Sequence, residues 1–407
     1  MTKAFELPKQ RVWEAFKLVK ANNGVGGVDD VSMSDFEADL SNNLYKIWNR
    51  LQSGSYFPPA VKAVEIAKKT GGTRRLGIPT IGDRIAQMAI KLLFEPKVEP
   101  IFHKDSYGYR PGRSAHDAIK VTRTRCWKSN FVLEFDIKGL FDNIDHGLLM
   151  KAVRKHTSDK MEILYIERWL KAPILNKDGI LENRTKGTPQ GGVISPVLAN
   201  LFLHYVMDKW LEKTFPHVEF CRYADDGIVH CKTENQAKTI YKALKERFEQ
   251  CGLEMHPDKT KIIYCSRQGK VNIAYSNRSF DFLGFTFRRR TAVDPQGVFF
   301  CGFLPGISNK SKSSIIKKFK DLKILSATHV SLKDLAEYIN PKVRGWFNYY
   351  GKFTKSAMSS IEYYIDSRII KWLQKKFKKL KQYPGKARSL MNRLRKDCPK
   401  LFAHWCV

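Results

Sequence analysis

Residues 220–230 read Phe220-Cys221-Arg222-Tyr223-Ala224-Asp225-Asp226-Gly227-Ile228-Val229-His230. Two apolar runs flank a bend, and Asp and Gly tolerate the backbone angles that a tight bend needs, so the pattern predicts a β-hairpin. Asp225 and Asp226 are adjacent carboxylates, which repel each other unless a cation lies between them, and Mg²⁺ prefers carboxylate oxygen. An ordinary Asp-rich turn has the same local pattern, so the hairpin alone does not establish a function.

A third acid follows a predicted strand. Residues 131–137 alternate between two faces, which predicts a half-buried strand that ends near Asp136. If this strand lies beside the hairpin in one sheet, the three carboxylates converge, which is the arrangement that two-metal phosphoryl transfer requires. Asp142 and Asp145 are interpreted as solvated turn or helix-start acids, with metal ligation as the alternative.

Two glycine-containing segments are candidates for ligand contact. Residues 61–79 predict a strand, a Gly-Gly turn and a second strand, with Lys68 and Arg74 close to the bend. Two cations facing each other across a hairpin favour an anion between them, either a triphosphate or a nucleic-acid backbone, and solvated loop charges are the alternative. Residues 187–196 form a turn-rich segment whose paired glycines permit close approach by a ligand, but no Gly-Lys-Ser/Thr follows, so it is not a Walker loop.

The net charge of +32 over 407 residues indicates a polyanionic partner. Residues 310–400 carry 24 Lys plus Arg against 6 Asp plus Glu, a balance of +18. Charge of this density predicts nucleic-acid binding, because Lys and Arg release counterions from phosphates.

Cysteine spacing and hydropathy favour an intracellular protein. The eight cysteines form no C-x-x-C pair, so neither a zinc site nor a disulfide framework is expected. The N-terminus lacks the apolar run of a signal peptide, and no uncharged stretch is long enough to span a bilayer.

Hydrophobic periodicity predicts mixed α+β structure. Helices are expected on both sides of a glycine-rich loop near residues 22–30, the second running as one helix through residues 36–51, and again from Asp83 to Pro96. Residues 280–287 predict another hairpin, and three apolar helical stripes follow Ser308, which indicates a small basic bundle.

The order of these motifs resembles the reverse transcriptase–maturase proteins encoded by group II introns, over nearly the whole chain. The motifs that carry the resemblance are the Gly-Val-Asp loop at 27–29, Thr73-Arg74-Arg75-Leu76-Gly77-Ile78-Pro79, Tyr107-Gly108-Tyr109-Arg110-Pro111-Gly112-Arg113, Phe135-Asp136-Ile137, Thr188-Pro189-Gln190-Gly191-Gly192, Tyr223-Ala224-Asp225-Asp226, Phe282-Leu283-Gly284-Phe285 and Gly345-Trp346-Phe347.

The resemblance implies a right-hand polymerase of α+β class. Fingers with an N-terminal extension are expected over residues 1–130, a palm with an antiparallel sheet over 131–305, a helical thumb or maturase region over 306–383, and a short C-terminal remnant over 384–407. The implied activity is RNA-directed DNA synthesis with two Mg²⁺ ions. The implied partners are intron RNA, an RNA template with a DNA primer, dNTPs and a DNA target, in a bacterial cytoplasm as part of a ribonucleoprotein or on the nucleoid.

The resemblance also implies a role for each site residue. The catalytic and metal-binding set would be Asp136, Asp225, Asp226 and the Ile137 carbonyl, with Lys259 as the proton donor to pyrophosphate and Lys261 as its competitor. Lys68 and Arg74 would grip the triphosphate, Phe141 would be the steric gate against a 2′-hydroxyl, and Gln190 and Gly191 would lie along the nascent base pair. The primer grip would be Phe282, Leu283 and Gly284.

The chain departs from the family pattern in two places. Asp30 stands where this family often has glycine, and no Cys/His cluster of an HNH nuclease follows the thumb, so second-strand cleavage is not expected. Two alternatives stay open: a protein that acts chiefly as an RNA-binding splicing maturase, and a free-standing relative that serves DNA repair or phage defence.

Overall fold

The computed structural model describes residues 4–22, 24–67, 73–265, 275–293 and 296–406. The strands are β1 (Val61–Ala67), β2 (Thr73–Ile78), β3 (Phe131–Asp136), β4 (Ile174–Leu175), β5 (Leu181–Glu182), β6 (Glu219–Tyr223), β7 (Asp226–Cys231), β8 (Lys261–Tyr264), β9 (Ser279–Phe282), β10 (Phe285–Val293) and β11 (Phe299–Ile307). The α-helices are α1 (Lys9–Ala21), α2 (Met33–Ala38), α3 (Leu40–Ser53), α4 (Ile81–Val98), α5 (Ala115–Cys126), α6 (Leu140–Asn143), α7 (His146–His156), α8 (Lys160–Lys171), α9 (Ser195–Leu203), α10 (Lys209–Thr214), α11 (Glu234–Gln250), α12 (Asn309–Asp321), α13 (Leu332–Tyr350), α14 (Ser359–Lys376), α15 (Lys378–Lys381) and α16 (Pro384–Asp397).

The chain divides into two compact units. Unit 1 comprises Met1–Ser114, Leu133–Val229 and Asn235–Lys261, and unit 2 comprises Ala115–Val132, His230–Glu234 and Ile262–Val407. The domain boundaries expected from the sequence stay predictions. No helix among the described residues has the length and apolar character to cross a bilayer. All eight cysteines are described, and none of them is in a disulfide.

Strands β1 to β8 form two four-stranded sheets. The first has the order β2-β1-β4-β5, and its predicted hairpin is confirmed, with β1 antiparallel to β2 from the pair Lys62–Ile78 to the pair Ala67–Thr73. The second has the order β6-β7-β3-β8, so the hairpin that carries Asp225 and Asp226 lies beside the strand that ends at Asp136. The neighbourhood on which the three-carboxylate hypothesis depends is therefore present.

Two helix predictions for unit 1 are wrong in detail. The helix expected to end at Pro96 runs on to Val98. Pro96 removes one hydrogen bond near the C-terminal end, and the fully buried Phe94 and Val98 supply packing on either side of it. The helix expected over residues 36–51 is interrupted at Asp39, whose backbone leaves helical geometry at φ −127° and ψ 48°.

Unit 2 combines a three-stranded antiparallel sheet with a helical bundle. The predicted hairpin at residues 280–287 is confirmed, and its two turn residues, Leu283 and Gly284, have φ values of 51° and 82°, as a type I′ turn requires. The three predicted apolar stripes lie on α12, α13 and α14, and they share one core with α16 and the C-terminal turn. Its members include Ile315, Phe319, Leu335, Ile339, Phe347, Ile361, Ile365, Ile369, Trp372, Met391 and Phe402.

Candidate active site

Asp136, Asp225 and Asp226 converge in unit 1. The Ile137 N–H donates to the Asp225 carbonyl over 3.3 Å, which joins the end of β3 to the bend of the hairpin. The carboxyl group of Asp136 lies close enough to that of Asp226 to raise its pKa. Gly227 permits this approach of the strands, because a Cβ there would lie 2.1 Å from the Phe135 ring.

The three carboxyl groups form a crowded cluster of acidic side chains. Burial, followed by repulsion from Asp225 and Asp136, raises the pKa of Asp226 to about 8. Burial, with a contribution from Asp136, also raises the pKa of Asp225. Groups of one sign that are partly removed from water favour a cation among them, and carboxylate oxygen suits a hard divalent ion.

Lys259 is the cation that the structure places in this cluster. Its Nζ lies 2.8 Å from Asp136 Oδ2. No three His, Cys, Asp or Glu side chains in the described part of the chain form a ready-made ligand set. The donor chemistry fits a divalent ion, but an ion bound to Asp136 would have to take over a carboxylate oxygen that Lys259 now contacts.

A buried ion pair holds the bend between β6 and β7 in position. Arg222 and Asp208 are fully buried, and the Arg222 Nε and Nη2 groups donate to the two Asp208 oxygens over 2.8 and 2.6 Å. The remaining N–H groups donate to Asn200 Oδ1 over 3.0 Å, to Ser106 Oγ over 2.8 Å and to the Ala224 carbonyl over 3.2 Å. Arg222 thus uses all five donors of its guanidinium, one of them on the residue before Asp225.

The backbone geometry at Ala224 explains why the bend needs the hydrogen bond from Arg222. Ala224 has φ 56°, in the left-handed region that non-glycine residues rarely adopt. Gly108 packs against it so closely that a Cβ on Gly108 would lie 2.5 Å from the Ala224 nitrogen. Asn200 Nδ2 donates to the Gly108 carbonyl over 2.7 Å, so one network holds both sides of the strained turn.

Arg74, Gln190 and Gly191, three of the predicted nucleotide-binding residues, lie together in unit 1. Arg74 Nε donates to Gln190 Oε1 over 2.5 Å, and Gln190 Nε2 donates to Asp142 Oδ2 over 3.3 Å. The Gly77 N–H donates to the Gln190 carbonyl over 3.0 Å. Gly191 has φ 135°, and a Cβ on it would lie 2.4 Å from the Gly77 oxygen, so only glycine allows this contact with β2.

Phe141 is buried, and its ring meets the edge of the Tyr109 ring at a centroid separation of 6.3 Å. Tyr109 has φ 57°, and burial followed by the charge of Asp225 raises its pKa, which places Tyr109 near both Phe141 and the acidic cluster. The sequence motif contains Tyr109, but nothing in its local pattern assigns it to this position.

The remaining predicted residues are Lys68 and the three residues of the primer grip. Lys68 is outside the described residues. Phe282, Leu283 and Gly284 belong to unit 2, where Tyr349 Oη donates to the Leu283 carbonyl over 3.0 Å and Ser311 Oγ donates to the Gly284 carbonyl over 2.9 Å.

Three other acidic residues named in the sequence analysis make local contacts or adopt an unusual backbone conformation. Asp145 caps α7 by accepting from the Leu148 N–H over 2.7 Å, so its interpretation as a helix-start acid is confirmed. Asp142 accepts the hydrogen bond of Gln190 described above. Asp30 has φ 51°, which explains why glycine suits that position.

Family comparisons agree with this geometry. Residues 66–287 match the family described as reverse transcriptase (RNA-dependent DNA polymerase), and residues 312–393 match the group II intron, maturase-specific domain. The first match covers more than half of the chain and includes the acidic cluster, Lys259 and Arg74.

Two curated proteins are each 32% identical to the chain. Protein YkfC of Escherichia coli aligns over 317 residues, 68% of this chain and 80% of that protein. The group II intron-encoded protein LtrA of Lactococcus lactis aligns over 285 residues, 66% of this chain and 46% of that protein, so the chain spans less than half of LtrA. Among solved structures, an apo telomerase from Candida tropicalis aligns with a TM-score of 0.44 and 17% identity, over 56% of this chain and 53% of that one.

Proposed function

The chain belongs to the reverse transcriptase family, in the group II intron-encoded type that carries a maturase-specific domain, and from this premise we propose that it is an RNA-directed DNA polymerase. The observation that carries the proposal is the convergence of Asp136, Asp225 and Asp226, with Lys259 on one of the carboxylates. A buried acidic cluster of this kind suits phosphoryl transfer, in which the protein supplies position and charge rather than a covalent intermediate.

Asp136, Asp225, Asp226 and the Ile137 carbonyl would hold two Mg²⁺ ions. When bound, such ions lower the pKa of the attacking primer hydroxyl and neutralise charge on the leaving pyrophosphate. Once its contact with Asp136 is broken, Lys259 would be available to donate a proton to pyrophosphate.

The other residues would position the two substrates. Arg74, held by Gln190, and Lys68 would bind the triphosphate of a dNTP. Gln190 and Gly191 would lie along the nascent base pair, and Phe141, braced by Tyr109, would exclude a 2′-hydroxyl. Phe282, Leu283 and Gly284 would hold the primer end, with their turn fixed by α12 and α13.

Asp225→Asn tests the centre directly. Loss of this charge is expected to reduce primer extension on an RNA template by at least a thousandfold, while equilibrium binding of the template–primer stays within about twofold, because phosphate contacts dominate affinity. Asp145→Asn is the matched control, since Asn also caps a helix, and it should extend at the wild-type rate. A folded Asp225→Asn protein that extends primers at the full rate would refute the proposed centre.

A second function, assistance of intron splicing, is supported by the basic helical region and the maturase-specific match. The chain would bind intron RNA through that region and stabilise its folded form, working within a ribonucleoprotein and supporting mobility into a DNA target. Splicing of a cognate intron at low Mg²⁺, with and without the protein, tests this. Acceleration that persists in Asp225→Asn is expected, and no acceleration by the wild-type protein would refute the splicing role.

A further inference from the structure

The side-chain amide of Gln190 contacts a cation at one end and an acid at the other, within unit 1. Its Oε1 accepts from Arg74 Nε over 2.5 Å, and its Nε2 donates to Asp142 Oδ2 over 3.3 Å. A guanidinium can only donate hydrogen bonds, and an ionised carboxylate can only accept them. The two charged neighbours therefore leave one orientation of the amide in which both of its ends are satisfied.

The backbone around Gln190 is held independently of this amide. On one side, the Thr188 N–H donates to the Phe141 carbonyl over 2.7 Å. On the other side, the Gly77 N–H of β2 donates to the Gln190 carbonyl over 3.0 Å. These bonds fix the position of the Gln190 backbone, but its side chain still rotates about its own torsions. The direction of the amide is therefore set by the side chains that it meets.

Asp142 is placed for this contact by α6 and by a neighbouring cation. It follows Phe141 in α6, and a Cβ on Gly139, which precedes the helix, would lie 3.7 Å from Asp142 Oδ2. Asp142 and Arg184 line the same cleft of about 290 Å³. Burial lowers the pKa of Arg184 to about 10, and the charge of Asp142 acts in the opposite direction, so the two side chains are close enough for their charges to interact.

A reversed amide would be unfavourable at both of its ends. The Gln190 NH₂ group would then face the Arg74 guanidinium, donor against donor, and the amide oxygen would face the Asp142 carboxylate, acceptor against acceptor. Without the acid, the orientation of the amide would depend on Arg74 alone. Hydrogen bonds in series also polarise one another, so an ionised acceptor on Nε2 makes Oε1 a better acceptor for Arg74.

We propose that Asp142 is a positioning residue for nucleotide binding, which holds Arg74 through the Gln190 amide in the orientation that meets a triphosphate. The inference rests on the proposed function, in which Arg74 binds the triphosphate of a dNTP. A direct contact between Asp142 and a triphosphate would be repulsive, because both are anionic. Asp142 therefore acts through Gln190 and not on the nucleotide itself.

Single-turnover incorporation of one dNTP on an RNA template tests this role, because it separates the apparent Kd for the dNTP from the maximal rate. Asp142→Asn keeps the side-chain shape but places at position 142 an amide that donates as well as accepts. It should raise the apparent Kd about fivefold and change the maximal rate less than about twofold. Asp178→Asn is the matched control in the β4–β5 turn, and both values should stay within about 1.5-fold. Both residues are exposed, so neither change removes a buried side chain.

A double-mutant cycle with Gln190→Met shows whether Asp142 acts through Gln190. Met has about the length of Gln but lacks the amide groups that link Arg74 to Asp142. In this background, Asp142→Asn should change the apparent Kd less than about 1.5-fold. The ratio of apparent Kd values for a dNTP and the matching rNTP is measured in parallel, because Phe141 adjoins Asp142. This ratio should not change in Asp142→Asn, since weaker triphosphate binding affects both sugars equally.

Three outcomes would overturn the proposal. The first is an equal loss from Asp142→Asn in the Gln190→Met background, which would mean that Asp142 acts by another route. The second is reduced discrimination between dNTP and rNTP in Asp142→Asn, which would indicate displacement of Phe141. The third is an unchanged apparent Kd in Asp142→Asn while the wild-type chain incorporates nucleotides normally, which would refute this inference alone. A wild-type chain that incorporates no nucleotide would instead refute the proposed function, and this inference with it.

Discussion

Arg222→Lys keeps the buried positive charge next to Asp208 but removes two of the five hydrogen bonds that Arg222 donates, because an ammonium has three donors. Each buried acceptor left unpaired costs about 1–3 kcal/mol, so the free energy of unfolding should fall by about 2–6 kcal/mol. Arg222→Met leaves Asp208 as an uncompensated buried charge, for which about 3–5 kcal/mol is expected. Both variants are expected to lose stability. A loss of activity alone would therefore not distinguish unfolding from displacement of the acidic cluster.

A double variant that removes both charges of the ion pair separates the effect on stability from the effect on the position of the acidic cluster. Arg222→Met/Asp208→Leu removes both charges, and apolar replacement of a buried ion pair is often neutral or favourable, so about 3 kcal/mol should return relative to Arg222→Met. The Ala224 carbonyl still lacks its donor, so the left-handed bend before Asp225 stays unanchored. Single-nucleotide extension is expected to remain at least tenfold slower than in the wild-type protein, which corresponds to about 1.4 kcal/mol of barrier.

Urea unfolding followed by far-UV circular dichroism gives the stability of each variant, and pre-steady-state extension on an RNA template gives the rate. If the double variant regains the wild-type extension rate together with its stability, Arg222 contributes only to the stability of the fold. Its assignment as a positioning residue for the acidic cluster would then be wrong.

Two further predictions concern the steric gate and acid stability. Phe141→Ala should lower discrimination between dNTPs and rNTPs at least tenfold, about 1.4 kcal/mol, measured as the ratio of kcat/KM values for the two sugars, and unchanged discrimination would contradict the gate. His230 is 4% exposed and burial lowers its pKa to about 3, so between pH 6.5 and 3 the unfolded chain binds the proton and the folded chain does not. Stability is therefore complete above pH 6.5 and falls on acidification. From pH 7.5 to 5 the wild-type protein should lose about 2 kcal/mol more than His230→Phe in parallel urea titrations, and equal losses would show that His230 does not titrate as assigned.

Short-range patterns in the sequence are sufficient to predict several strands and turns of this protein. Alternation of apolar residues predicted β3 and the β6–β7 hairpin, and the Leu283–Gly284 turn follows from two residues that can adopt positive φ. These predictions succeed because they depend on the periodicity and turn chemistry of neighbouring residues. The order of motifs along the chain likewise indicates the family.

Only the tertiary structure decided which distant groups meet. Arg222 and Asp208 look like an ordinary strand residue and an ordinary helix residue, and the pairing that buries both arises from packing. Pro96 stays inside α4 because buried neighbours outweigh a local helix-breaking preference. Local propensity acts over a few residues, whereas burial and charge compensation depend on every element that packs around a site.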